Sequence, residues 1–140
     1  RNKRTIDVLW LGTWAYILLH KMDVLFGCAS LEGTRPEKLV EPLSFLTGPC
    51  AAENEWEVQP LPHLAAKFEA IPADAIDMRR VMRGLPPLMK GYLRLGAKIS
   101  KGAVVDHQFG TTDVMIVMPV ADLNPSYVNY YGADASRYSA

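Results

Sequence analysis

The sequence predicts an α/β fold, and three stretches carry that prediction. Asp23 to Ser30 and Thr112 to Val120 are short, dense apolar runs of the kind buried on both faces of a sheet. Between them, Gly84 to Phe109 opens on Pro86 and Pro87, which fix φ and withhold two backbone donors, so a helix should start there. Leu88, Tyr92 and Leu95 recur at helical spacing, and Gly96 is a natural residue to stop the helix. Lys98 to Val105 and Asp113 to Met118 are joined closely enough to form an antiparallel pair. With 140 residues, 49% of them hydrophobic and 21% charged, the chain has the composition of one soluble globular domain with a real core.

The remaining elements follow in order. Thr5 reads as the N-cap of a helix running to His20, with Asp7 in the first turn, where the helix dipole favours a carboxylate. Both sides of that helix are apolar, so it needs cover on two faces. Asp23 to Ser30 is the first strand, and Gly27 within it marks a place where another backbone or a ligand comes close. Thr34, Pro36 and Glu37 spell a capping box for a helix from Pro36 to Leu46, in which Pro42 predicts a kink or two short pieces. Residues 47–77 read as an irregular insertion punctuated by prolines. Asp77 caps a short helix bearing Arg79, Arg80 and Arg83, and these arginines cannot all face the core. Pro119 should end the last strand, Asn124-Pro125 begin a short helix, and residues 133–140 form a flexible tail. A single domain over residues 1–132 is the expected organisation.

Composition narrows the function. Fifteen basic and fifteen acidic residues cancel, so no global field recruits nucleic acid. Cys28 and Cys50 show neither a CxxC pattern nor zinc-type spacing with histidine, which points to free thiols in a reducing compartment and no metal. The longest apolar run is interrupted by Asp7, Gly12 and Thr13 and is too short to span a bilayer. Lys90 and Arg94 stand one turn apart on one helix; they form either a solvated basic edge or a place for an anion.

Three segments resemble a known family. Asp23-Val-Leu-Phe-Gly-Cys-Ala-Ser, Leu85-Pro-Pro-Leu-Met-Lys-Gly-Tyr-Leu-Arg-Leu-Gly-Ala and Thr112-Asp-Val-Met-Ile-Val are similar to the C-terminal part of the haemolysin-like branch of the GNAT acyltransferase superfamily. Within that branch they look most like the ornithine–acyl carrier protein N-acyltransferases that make lyso-ornithine lipid. The resemblance implies a mixed sheet flanked by helices, with the N-terminal strands of the domain upstream of Arg1 and absent from this chain. It implies transfer of a fatty acyl group from acyl carrier protein, or acyl-CoA, to the α-amine of an amino acid, with ornithine as the leading acceptor. The donor is an acyl-phosphopantetheine, and no cofactor is held permanently.

The same resemblance assigns roles. Arg1, Asn2, Lys3, Arg4, Thr5 and Ile6 occupy the place of the donor loop, whose backbone amides hold a phosphate at a helix N-terminus. Lys3 and Arg4 replace its small residues, and a charged loop suits the acidic surface of acyl carrier protein. Glu32 and Asp106 are the carboxylates placed to hold or deprotonate the acceptor, unless the base lies upstream. Ser30, Lys90 and Arg94 are assigned to acceptor binding, the two cations pairing with its carboxylate. The expected location is cytoplasmic, with peripheral contact at the inner membrane. A non-catalytic acyl-chain or protein-binding remnant is the alternative.

Overall fold

The computed structural model describes residues 3–126 and 128–130, and of Lys3, Arg4 and Ile6 only the backbone. The elements are α1 (Lys3–His20), β1 (Val24–Glu32), α2 (Val40–Thr47), α3 (Met78–Gly84), α4 (Pro87–Leu95), β2 (Lys98–Ile99), β3 (Val104–Asp106) and β4 (Thr111–Pro119). Segments Arg1–Leu25 and Met118–Ala140 form one compact unit and Phe26–Val117 another. The predicted tail at residues 133–140 lies outside the described residues.

Among the described residues the sheet has four strands and β4 is its central member, with β1 on one side and β2 and β3 along the other. β2 and β3 run antiparallel to β4, with Ile99 opposite Ile116, Val104 opposite Asp113 and Asp106 opposite Thr111. A parallel bridge joins Ala51 to Ile99. Thr112, Val114 and Ile116 point to one face of β4 and are shut off from water, as are Leu43 and Leu46 of α2, Met89 of α4 and Ile99 of β2. These side chains form the core of the Phe26–Val117 unit. The fold is thus mixed α/β, a sheet flanked by helices, as the apolar runs and the proline-started helix predict.

Helix termini follow the local chemistry closely in the second half. Pro86 precedes α4, and Gly96 closes it in the left-handed region at φ 99°. Ala97 N–H then donates back to the Tyr92 carbonyl at 3.0 Å, which satisfies the last turn. Asp77 caps α3 by accepting from Arg80 N–H at 3.0 Å. The proline-interrupted helix is two pieces, a 3₁₀ turn over Pro36–Lys38 and then α2. Thr34 does not cap it: Arg35 is the preceding residue, and Glu37 pairs with the Arg35 Nε at 2.8 Å. The positive φ of 112° at Gly33 turns the chain before Thr34 can reach the capping position.

Two further expectations are corrected. α1 begins at Lys3, so Thr5 lies inside its first turn and is not an N-cap, and Asp7 falls in the second turn. β1 is not buried on both faces: Phe26, Cys28, Ser30 and Glu32 are exposed, and only Ala29 and Leu31 are buried. β1 is an edge strand here, and an added Cβ at Gly27 would meet open space. α1 likewise leaves Val8, Leu9, Tyr16, Leu18 and Leu19 exposed while Trp14 and Ile17 are buried.

Residues 47–77 are irregular but tied down. Ala52 N–H donates to the Ile99 carbonyl at 2.8 Å, Lys101 N–H to Val58 at 2.8 Å and Ala66 N–H to Ala103 at 2.7 Å. Where this strap crosses the β2–β3 connection, a Cβ at Gly102 would lie 2.8 Å from Cγ and Cδ of Pro60. The proline ring has little room to yield. Gly102→Ala should therefore destabilise the protein by about 1–3 kcal/mol, read as a lower urea midpoint at unchanged m-value.

Candidate functional site

The register of β1 on β4 sets the site. Gly33 N–H donates to the Gly110 carbonyl at 2.9 Å past one end of β1, and Val120 N–H donates to the Asp23 carbonyl at 2.8 Å past the other. Both bonds give the same antiparallel offset, which places Glu32 opposite Thr111, Ser30 opposite Asp113 and Cys28 opposite Met115. Side chains alternate across a strand, so these residues share the face away from the core. Together with the β3 pairing they form rows: Glu32, Thr111, Asp106, and then Ser30, Asp113, Val104.

A cleft of about 390 Å³ opens on this face, lined by Cys28, Asp106, His107, Asp113 and Met115 and walled by Gln59 and Pro60. Among the described residues, no lysine or arginine lines it. The tight turn after β3, with Gly110 at φ 72°, holds the row at its end. Asp106 serves that turn, its Oδ1 accepting from Gln108 N–H at 2.8 Å and Phe109 N–H at 2.9 Å. Glu32 is exposed at the end of β1. Thr111 Oγ1 and Asp113 Oδ1 are closed off from water and have no hydrogen-bond partner among the described residues. Buried polar atoms in proteins are nearly always paired, so two orphans on one face mark a place where a partner is expected.

The sequence-assigned residues fall in three places. Ser30, Glu32 and Asp106 come together on the open face. Across two strand spacings of about 4.8 Å each, Glu32 and Asp106 stand about 10 Å apart over Thr111. Lys90 and Arg94 are not brought to them. They line a groove of about 610 Å³ between α3 and α4 with Arg79, Arg83, Met78, Met82 and Phe45, and among the described residues no carboxylate lines it. Lys90 Nζ donates to the Arg83 carbonyl at 2.6 Å, completing the last turn of α3. Arg80 is held aside by Glu41 at 2.5 Å, and this hydrogen bond raises the guanidinium pKa further.

The donor-loop residues lie at the margin. Arg1 is outside the described residues, as are the side chains of Lys3, Arg4 and Ile6, while Thr5 is exposed. With α1 running from Lys3, its unpaired amides belong to the first helical residues from Lys3, three positions earlier than a helix that begins at Ile6 after a Thr5 cap. Among the described residues, no group of three or more potential ligands could hold a metal ion. Both cysteines are free; Cys28 is exposed, and burial pushes the Cys50 thiol up to about 11.

Asp113 and Thr111 were missed by motif reading because they sit at the head of an apolar run. The signal was present as alternation: Thr111 and Asp113 occupy every second position before Met115. Arg79 and Arg83 carried a signal too, since a seven-residue helix cannot bury so many cations.

The chain is homologous over nearly its whole length to curated bacterial proteins named L-ornithine N(alpha)-acyltransferase. It is 47% identical to the protein from Agrobacterium fabrum, over 98% of this chain and 47% of that one. Identity is also 47% to the proteins from Brucella abortus, over 99% of this chain and 49% of the relative, and Rhizobium meliloti, over 100% and 47%. The chain spans about half the length of these relatives. No family model and no solved structure matches it.

Proposed function

We propose that this chain carries the acceptor side of an N-acyltransferase that moves a fatty acyl group from a thioester to the α-amine of ornithine. The observation that carries this reading is the open sheet face, where Ser30, Glu32, Thr111, Asp106 and Asp113 stand in two adjacent rows beside a cleft that, among the described residues, no lysine or arginine lines. An amine attacks only when neutral, so the acceptor's ammonium must first lose a proton. Glu32, exposed and at the end of its strand, accepts it. The freed nitrogen then adds to the thioester carbonyl, the tetrahedral intermediate collapses, the C–S bond breaks and the thiol leaves with a proton. Asp106 holds the turn that sets the far end of the row.

The donor is an acyl-phosphopantetheine, with acyl carrier protein as its bearer. The groove between α3 and α4 supports this choice. Arg79, Arg83, Lys90 and Arg94 surround an apolar floor of Phe45, Met78 and Met82, a surface complementary to an acidic protein. The first turn of α1, from Lys3, suits the pantetheine phosphate, since amide donors and the helix dipole favour an anion there, and Arg1, Lys3 and Arg4 add positive charge to this part of the sequence. A product with one fatty chain partitions to a bilayer, and peripheral contact follows from that chemistry. No described helix is long and apolar enough to cross a membrane.

Incubating the full-length protein with acyl-loaded acyl carrier protein and labelled ornithine should yield N-acylornithine, identified by mass spectrometry. Absence of any N-acyl product with every amino acid would leave the non-catalytic acyl-chain or protein-binding role.

A further inference from the structure

We infer that Asp113 is the specificity-determining residue that receives the distal ammonium of a diamino-acid acceptor, while Glu32, diagonal to it across the β1–β4 pair, receives the α-amine. The inference rests on the acyltransferase reading above and adds the reason a cationic side chain is selected.

Asp113 lies on the central strand of the sheet, on the face that carries the cleft. One carboxylate oxygen is closed off from water and has no hydrogen-bond donor among the described residues. Ser30 stands opposite it on β1 and Val104 opposite it on β3, so neither residue facing it across the sheet is a cation, and Lys98 of β2 stands opposite Val117, four residues further along β4. His107 and Asp106 are the other ionisable groups lining the cleft beside Cys28, and Asp106 is already engaged by two backbone N–H groups. A buried carboxylate oxygen without a donor is stabilised by an ammonium more than by any neutral group. Thr111 Oγ1, two residues along the same face, is a second buried polar atom with no hydrogen-bond partner among the described residues.

Spacing makes the pair a ruler. Diagonal neighbours on one face of an antiparallel pair are about 7–8 Å apart, a separation that the two nitrogens of an α,δ-diamino acid bridge with one hydrogen bond to each carboxylate. A side chain without a cation leaves Asp113 uncompensated. One methylene more or less strains the fit only modestly, so the charge should be read more strictly than the length.

The test compares full-length wild type with Asp113→Asn and Asp113→Glu, using ornithine, its analogue without the distal amine, norvaline, and the shorter diamine 2,4-diaminobutyrate. Wild type should favour ornithine over norvaline by at least about 10²-fold in kcat/KM. Asp113→Asn should collapse that ratio by raising KM for ornithine while leaving KM for the acyl donor unchanged. Asp113→Glu, one methylene longer, should shift preference toward 2,4-diaminobutyrate, which a merely structural role would not produce. Equilibrium dialysis of ornithine and norvaline reads the same discrimination without turnover. Folded variants that keep the wild-type ratio, or a wild type that binds both amino acids equally, overturn the inference. A wild type that binds ornithine selectively but makes no N-acyl product instead overturns the acyltransferase reading.

Discussion

Glu32→Gln in the full-length protein should lower kcat for N-acylation by about 10²–10⁴-fold, the range for removing a positioned general base. The amide keeps the size and hydrogen-bonding reach of the carboxylate, so KM for ornithine should move far less than kcat. The acid limb of the kcat/KM profile should flatten as well, because that limb reports the base in free enzyme. Asp106→Asn should be milder, since an amide oxygen still accepts from Gln108 and Phe109 N–H groups. An equal loss in both variants would place Asp106 alongside Glu32 in the chemistry, and unchanged kcat in Glu32→Gln would move the base out of this chain.

The second large effect concerns the groove between α3 and α4. Reversing two of its charges, Arg83→Glu with Arg94→Glu, should cut kcat/KM for acyl carrier protein by about 10–10³-fold at low ionic strength, mainly through association. Salt should narrow the difference, because exposed charges are screened within about 10 Å at 0.1 M. KM for ornithine should stay as it is. If ornithine KM rises and donor kinetics do not, the groove takes the acceptor's carboxylate. If neither moves, Arg83 and Arg94 form a solvated basic face.

Much of the fold was legible because its signals are local. Pro86-Pro87 and Gly96 bound α4, Asp77 caps α3, Pro42 divides a helix and Pro119 ends β4 through restrictions on their own backbone. The errors have a different origin. An apolar strand such as β1 reads as doubly buried whether its second face is covered by this chain or by another segment, because the sequence of the strand is the same in both cases. The capping box at Thr34 failed to Gly33, whose left-handed φ redirects the chain.

The site was half legible for the same reason. Ser30 and Glu32 lie on one strand at alternate positions, so their common face is local information. Asp106 joins them only through the register with β4. Lys90 and Arg94 were grouped with them by chemistry, but they sit on a helix facing α3, and only tertiary packing decides that. Asp113 was hidden because a polar residue in an apolar run reads as an interruption until its neighbours across the sheet are known.

The most direct test of the acceptor site on the open sheet face is protection of Cys28 in the full-length protein. Its exposed thiol lines the cleft beside Asp113, whereas Cys50, pushed up to about 11, stays protonated and slow near neutral pH. Site-resolved alkylation should show Cys28 labelling slowed several-fold by saturating ornithine and unaffected by norvaline at the same concentration. Labelling of Cys28 at one rate with and without ornithine would contradict the placement of the acceptor on this face.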